Sequence, residues 1–356
     1  MDDTPAERPP ATSERAGRHG PTIRDVARLA GVSIGTASKA LNANGRLREE
    51  TREKVRQVAR ELGYRPNDMA QSLHRTRSMT VGIISTDSFG RFTLPIFQAL
   101  EERFADQGIG VFMCNATDDP ARERQHLDQL LGKRIDGLIV TARRADKRPP
   151  VGPLPPGLPV IYVFSQADDR DSLSLLPDDE GGARLAVSHL AEVGSRRIAY
   201  ITGPERFEAV LLRRRGYQSA LAEAGLTEHP EYYQPGPWSE AWGRDAVARL
   251  FDGQGVSNSG ARPDGLFCGN DQIARGAVEA LRDRGIDVPG EVAVVGFDNW
   301  EVLAEASRPP LSSIDMNLSA LGEEAGRLLL GMIGGEKLRG IRRLPCTLVV
   351  RQSTQR

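Results

Sequence analysis

The run Gly31-Val32-Ser33-Ile34-Gly35 fits the Gly-x-Ser-x-Gly spacing on which hydrolases expose a reactive serine. Such an elbow needs a β-strand before the serine. Here Ile23, Val26, Ala27 and Ala30 precede it at i, i+3, i+4 and i+7, the stripe of one helix face, so a nucleophilic Ser33 loses its setting. The histidines, His19, His74, His126, His189 and His229, show no metal-ligand spacing, and His189 sits among apolar helical residues where packing is the commoner role. Cys114, Cys268 and Cys346 lie far apart in apolar runs without a CxxC pair, which reads as buried reduced thiols. No phosphate-binding or dinucleotide-binding glycine loop follows a strand. The chain is therefore not read as an enzyme, and no cofactor or metal is expected.

Charge is the stronger signal. Residues 21–77 hold 12 Lys and Arg against 6 Asp and Glu, whereas residues 78–356 hold 32 against 38. A basic head on an acidic body points to a polyanionic partner for the head alone. Thr22 is placed to cap the first helix, and Gly31 supplies the turn to a second, capped by Ser33, over residues 34–42. A third apolar stripe, Val55, Val58, Ala59 and Leu62, ends at Gly63. Two short helices about a glycine turn, with a third behind them, predict a helix-turn-helix core, although the pattern alone also fits any three-helix bundle.

If the second helix enters a DNA major groove, Ile34, Gly35 and Lys39 face bases, while the hydroxyls of Ser33, Thr36 and Ser38 suit phosphates. Thr22, Asn42, Arg46 and Asn67 complete the candidate DNA-contacting set. Residues 68–74 are too short for a stable isolated helix. They read either as a plain linker or as a segment that folds on DNA, with Leu73 beside Ala70 as a minor-groove wedge.

A chain of 356 residues exceeds what one core usually organises. From Met79 onward, β-rich runs (MTVGIIST, IGVFMC, DGLIVT) alternate with helical ones over residues 95–107 and 120–133. A second series begins at Asp179, with RRIAYIT, DGLFC and VAVVGF as strands. This alternation predicts two α/β lobes with parallel sheets, and ligands of such sheets bind beyond the carboxyl ends of the strands. Candidate ligand contacts are Asp271, at a strand end where it can also be a helix cap, Phe92 and Trp238, which could stack on a sugar face or simply pack, and Asp87 and Asp178, which end strand-like runs. No apolar stretch is long enough to span a bilayer, and residues 1–20 show no secretory signal. They read as a disordered tail, and the protein as cytoplasmic with no membrane association.

The runs IRDVARLAGVSIGTASKALN and TREKVRQVARELGYRPNDMAQSL resemble the headpiece and hinge of the lactose-repressor (LacI/GalR) family. The likeness continues through VGIISTD, QLLGKRIDGLIV, RRIAYITGP, RRRGYQSALAEAGL, FCGNDQIARGAVEALRDRGIDVPGEVAVVGFDN and RPPLSSID. It implies a multidomain chain, with an all-α helix-turn-helix headpiece over residues 21–66, a hinge over 67–77 and a two-lobed periplasmic-binding-protein-like sensor over 78–356. Crossovers are expected near Phe164, Asp315 and Gly334, giving an N-lobe of residues 78–164 and 316–334 and a C-lobe of 165–315 and 335–356.

The resemblance further implies a homodimer on near-palindromic double-stranded operator DNA, acting as a transcription regulator and expected to be a repressor. Leu73 takes the place of the hinge leucine, Arg213 that of the arginine holding ligand hydroxyls, and Phe164 joins the cleft. The effector class it implies is a sugar, with purines as the competing class. Ala37 and Lys39 stand where the family usually has valine and arginine, and Arg91 replaces its usual proline beside Phe92. Met316 and Leu318 also replace polar or aromatic residues. No heptad helix follows LPCTLVVRQST, so a dimer is expected rather than a tetramer.

Overall fold

The structure, a computed structural model, describes residues 20–42, 47–64, 77–88, 90–253 and 262–355. Arg46, Asn67, Ala70, Leu73 and the expected hinge lie outside the described residues. Contacts divide the chain after Ser78 into two units.

In the first unit, α1 (Ile23–Ala30), α2 (Ile34–Leu41) and α3 (Glu49–Glu61) bury Val26, Ala27, Ala30, Ala37, Ala40, Val55 and Ala59 in one small core. Helix α1 ends at Gly31, whose left-handed φ of 68° glycine adopts without the clash a Cβ would bring. The first cap differs from the expected arrangement in its chemistry. The Asp25 carboxylate accepts from both the Thr22 backbone N–H at 3.0 Å and its hydroxyl at 2.7 Å. At α2 the Ser33 hydroxyl accepts from the Thr36 N–H at 3.1 Å, so the serine of the hydrolase-like spacing is a helix cap.

The second unit holds two six-stranded sheets. The first eight strands are β1 (Thr80–Ser85), β2 (Gly110–Asn115), β3 (Gly137–Thr141), β4 (Lys147–Arg148), β5 (Val160–Val163), β6 (Gln166–Ala167), β7 (Leu173–Pro177) and β8 (Ile198–Thr202). The others are β9 (Tyr233–Pro235), β10 (Gly265–Cys268), β11 (Ala293–Phe297), β12 (Ser312–Asp315), β13 (Gly340–Leu344) and β14 (Thr347–Val349). One sheet runs β13-β7-β5-β3-β1-β2 and is parallel throughout, with Val81 beside Val111 on one side and Gly137 on the other. The other runs β14-β12-β11-β10-β8-β9, antiparallel only where β14 joins β12. Buried on both faces, strands such as β3 (GLIVT) and β11 (AVVGF) are continuous apolar runs.

The helices of this unit are α4 (Thr93–Ala105), α5 (Pro120–Gly132), α6 (Asp179–Glu192), α7 (Glu208–Glu223), α8 (Glu240–Phe251), α9 (Asp271–Asp283), α10 (Glu301–Ala304) and α11 (Leu318–Ile333). Sheet membership moves two of the expected crossovers. Strands β7 and β13 both lie in the N-lobe sheet, so the chain changes lobe after Pro177 rather than near Phe164, and after Leu344 rather than near Gly334. The reason is pairing: Leu173 sits beside Gly340 and Ile161, which fastens both segments to the N-lobe. One close approach matters for the site. A Cβ on Gly216 of α7 would lie 2.1 Å from the Glu180 carbonyl oxygen of α6, so only glycine lets these helices touch, and this contact brings Arg213 onto Asp179.

Candidate functional site

On the headpiece, Ser33, Ile34, Gly35 and Lys39 are exposed along α2, with Ile34 retaining 49% of its surface, while Thr36, Ser38 and Asn42 are half-buried. Thr36 meets the Ser33 hydroxyl at 2.9 Å, and the Asn42 amide donates to the Ser38 hydroxyl at 3.3 Å. Ala37 is buried, so it belongs to the core of the headpiece rather than to its exposed face.

In the two-lobed unit, a cavity of about 120 Å³ lies beyond the carboxyl ends of the strands. Four of the expected ligand contacts line it together: Phe92, Phe164, Arg213 and Trp238. Phe92 and Phe164 stack with ring centroids 4.8 Å apart. Phe164 has φ 52°, a strained backbone for a bulky residue, of the kind that gathers at functional sites.

Arg213 is the most constrained polar group. Its Nε donates to Asp179 Oδ1 at 2.7 Å and its Nη1 to the Gly269 carbonyl at 2.5 Å, while its Nη2 lies 3.8 Å from the Asp298 carboxylate. The guanidinium also stands 3.6 Å over the Phe297 ring. Burial pulls its pKa down, but the negative charges of Asp179 and Asp298 outweigh burial and hold it above the ordinary arginine value. From the other lobe Arg91 pairs with Asp298. The cavity thus has aromatic walls and a fixed pattern of donors and acceptors, the composition of a site for a small polar molecule.

Three expected contacts stand elsewhere. Asp87 turns into its own lobe, where Oδ2 accepts from the N–H groups of Phe92 at 2.8 Å and Thr93 at 3.1 Å, holding the entry to α4; it borders only an outer groove. Asp178 caps α6 through the Gly181 N–H at 3.0 Å and is absent from the cavity wall. Asp271 is 0% exposed and outside the cavity, and its carboxylate accepts from the Trp300 N–H and the Ser313 hydroxyl, each at 2.6 Å. It does not cap α9 either, since the Asn270 side chain accepts from the Ile273 N–H at 2.8 Å. Burial, reinforced by the charge of Asp298, pushes the Asp271 carboxyl up to about 7.

The residues missed by sequence reasoning, Asp179 and Asp298 above all, lie two residues and one residue past a strand end, in PDDE after β7 and GFDN after β11. Strand-end position was the usable signal.

Comparison with known proteins adds a second line. The family described as bacterial regulatory proteins, lacI family, matches residues 22–67, and the periplasmic binding protein-like domain matches residues 187–354. The chain is 33% identical to the HTH-type transcriptional repressor PurR of Aliivibrio fischeri strain MJ11, over 88% of this chain and 91% of that protein. It is 31% identical to catabolite control protein A of Priestia megaterium, over 94% and 99% of the two chains. The ribose operon repressor of Escherichia coli K12 is 32% identical, over 88% and 93%. Among solved structures, the lac repressor dimer bound to operator and the anti-inducer ONPF superposes with a TM-score of 0.75 at 27% identity, covering 94% of this chain and 99% of that one. The complex of the regulator CelR with cellobiose gives 0.63 at 29% identity, with the same coverage.

Proposed function

The chain belongs to the lacI family of bacterial regulatory proteins, and on that premise we propose that it is a dimeric operator-binding repressor whose DNA affinity is set by a polyhydroxylated effector held between its lobes. It is a regulator rather than an enzyme, as its relatives are. The observation that carries the effector reading is the meeting of Arg213, Asp179 and Asp298 inside one aromatic-walled cavity. A guanidinium and two carboxylates at such spacing match the alternating donors and acceptors of sugar hydroxyls. The stacked Phe92 and Phe164 offer a flat apolar face, which also keeps purines as the competing class. Among the described residues no helix is long and apolar enough to cross a membrane, and we place the protein in the cytoplasm, where its DNA target is.

In the headpiece, α2 enters the major groove with Ile34, Gly35 and Lys39 at base edges, and Ser33, Thr36, Ser38, Thr22 and Asn42 serve phosphates or fix the helix. Arg46, Asn67, Ala70 and Leu73, outside the described residues, are proposed as further DNA contacts on the family resemblance alone. Effector binding changes the relation of the two lobes and so the spacing of the paired headpieces. Operator must then shift effector affinity by the same factor.

The direct test is thermal unfolding against mono- and oligosaccharides, sugar phosphates and purines. An effector at 100 times its dissociation constant stabilises by about 2.7 kcal/mol. No shift across the panel overturns the effector reading. For the head, affinity for a duplex selected from a randomised pool is expected to fall roughly 10³-fold or more between about 50 and 200 mM salt, as condensed counterions are released. A flat salt response removes the DNA role.

The dimer face is expected at edge strand β2, where Phe112 and Met113 keep 46% and 42% of their surface exposed. Changing both to aspartate is expected to give monomers by sedimentation. Operator affinity should fall by about 10²-fold or more once the two headpieces are no longer linked. A variant that remains dimeric refutes this placement.

A further inference from the structure

Arg91 occupies an unusual position for a charged side chain. It comes from the loop entering α4 on the N-lobe, yet its guanidinium pairs with Asp298 on the C-lobe, with the two side chains only 14% and 7% exposed. The same guanidinium stands 4.4 Å over the Trp300 ring and 4.8 Å over the Phe92 ring, so it is held by a carboxylate and two aromatic faces drawn from both lobes. Asp298 is also the carboxylate 3.8 Å from Arg213.

Arg91 further lies on a boundary. Together with Phe92, Gln272 and Asp298 it borders both the inner cavity of about 120 Å³ and an outer groove of about 1180 Å³. The inner cavity falls short of the roughly 300–1,000 Å³ usual for small-molecule sites. An outward rotation of the Arg91 side chain would carry it from the shared border into the outer groove, where the exposed Glu301 offers a carboxylate.

We propose that Arg91 is both the gate of the effector cavity and its selectivity residue: its guanidinium holds the place of effector donors on Asp298, and an effector enters by taking that carboxylate from it. The incoming molecule replaces a fork of N–H donors on a carboxylate, with the Asp179 carboxylate held by Arg213 on the same cavity wall. It must therefore bring hydroxyl donors and no negative charge against Asp298, which selects a neutral polyol face at this end, while Arg143 and Arg144 line the same cavity. This inference rests on the cleft being the effector site.

The test reads the gate without any effector. In a Trp238→Phe background the remaining tryptophans among the described residues are Trp242, 7% exposed, and Trp300, so acrylamide quenching reports mainly on Trp300. Arg91→Ala is expected to raise the quenching constant about twofold by uncovering the ring. Guanidinium ion, well below unfolding concentrations, should return it towards the parent value by refilling the place on Asp298. Arg91→Lys, which keeps the charge but loses the planar fork, should fall between the two, and it serves as the comparison if Arg91→Ala does not fold. Quenching unchanged in both variants, or raised without a guanidinium response, overturns the gate. In the sugar panel, stabilisation of Arg91→Ala by sugar phosphates alone overturns the selectivity. A panel silent for both proteins alongside altered quenching refutes the effector site and leaves the gate standing, so the two readings fail separately.

Discussion

Replacing Arg213 by methionine is expected to remove about 3–5 kcal/mol of stability near neutral pH, because it leaves the Asp179 carboxylate buried without its partner. At about 2–4 °C per kcal/mol, that is a fall of roughly 6–20 °C in the melting temperature. The sign of its pH dependence follows from the same burial. Burial pushes the Asp179 carboxyl up, and the Arg213 charge pulls it back. Without that charge the folded chain holds a proton that the unfolded chain releases above its ordinary carboxylate pKa, so the deficit is small in acid and grows as pH rises. Adding Asp179→Asn to the variant removes the unpaired charge and is expected to restore most of the stability, whereas effector response stays lost in both. Urea unfolding at about pH 5 and about pH 8 decides it: a deficit below about 1 kcal/mol at the higher pH shows that the pair does not carry this part of the fold.

The elements that could be read from sequence were those with strong periodicity or an end signal. The α1 stripe, the Ser33 cap and the apolar strands β3 and β11 all depend on short-range pattern, and each appears where its residues place it. The lobe crossovers near Phe164 and Gly334 were not legible, because β7 is fastened to the N-lobe by pairing with β5, which no local pattern announces, and β13 only by pairing with β7, more than a hundred residues away. At the site, Arg213, Phe92, Phe164 and Trp238 were found through residue type together with family likeness. The acids were harder. Asp87, Asp178 and Asp271 look the same in sequence as Asp179 and Asp298, since all five sit at or just past strand ends; only three dimensions show that the first three bond to backbone or a buried hydroxyl while the other two face the cavity.

That distinction also assigns a structural task to the acids outside the cavity. Asp87 secures the start of α4, just after Arg91 and Phe92, and Asp178 secures the start of α6, just before Asp179. Arg91, Phe92 and Asp179 thus each stand within a residue or two of a capped turn. The positive φ values of Asp298 at 97° and Asn299 at 47° mark a bend after β11 that presents Asp298 and needs something to hold it.

Asp271 is what holds it, and its protonation is expected to be visible in the stability of the whole sensor. Its carboxyl fixes the Trp300 N–H on one side of the bend and the Ser313 hydroxyl on the other, and Ser313 in turn accepts from the Asn299 N–H at 3.1 Å. With a pKa pushed up to about 7 from an ordinary 3.8, the folded chain keeps a proton over the interval between them that the unfolded chain gives up. Stability from this group is therefore complete below the ordinary value and is lost as pH rises towards 7, by up to about 4 kcal/mol at 1.36 kcal/mol per unit. Asp271→Asn keeps an acceptor for Trp300 and lets its amide donate to Ser313. It is expected to flatten this dependence and to melt above the parent at about pH 8, by less at about pH 5, and to match it only below about pH 4. Asp271→Ala removes the same titration but leaves the Trp300 N–H without its acceptor, and should lie about 1–3 kcal/mol below Asp271→Asn at every pH. Parallel melting curves for the parent and the asparagine variant across this range would show that Asp271 is ionised throughout, and the Asp298 bend would then be held by a charged acceptor rather than a neutral one.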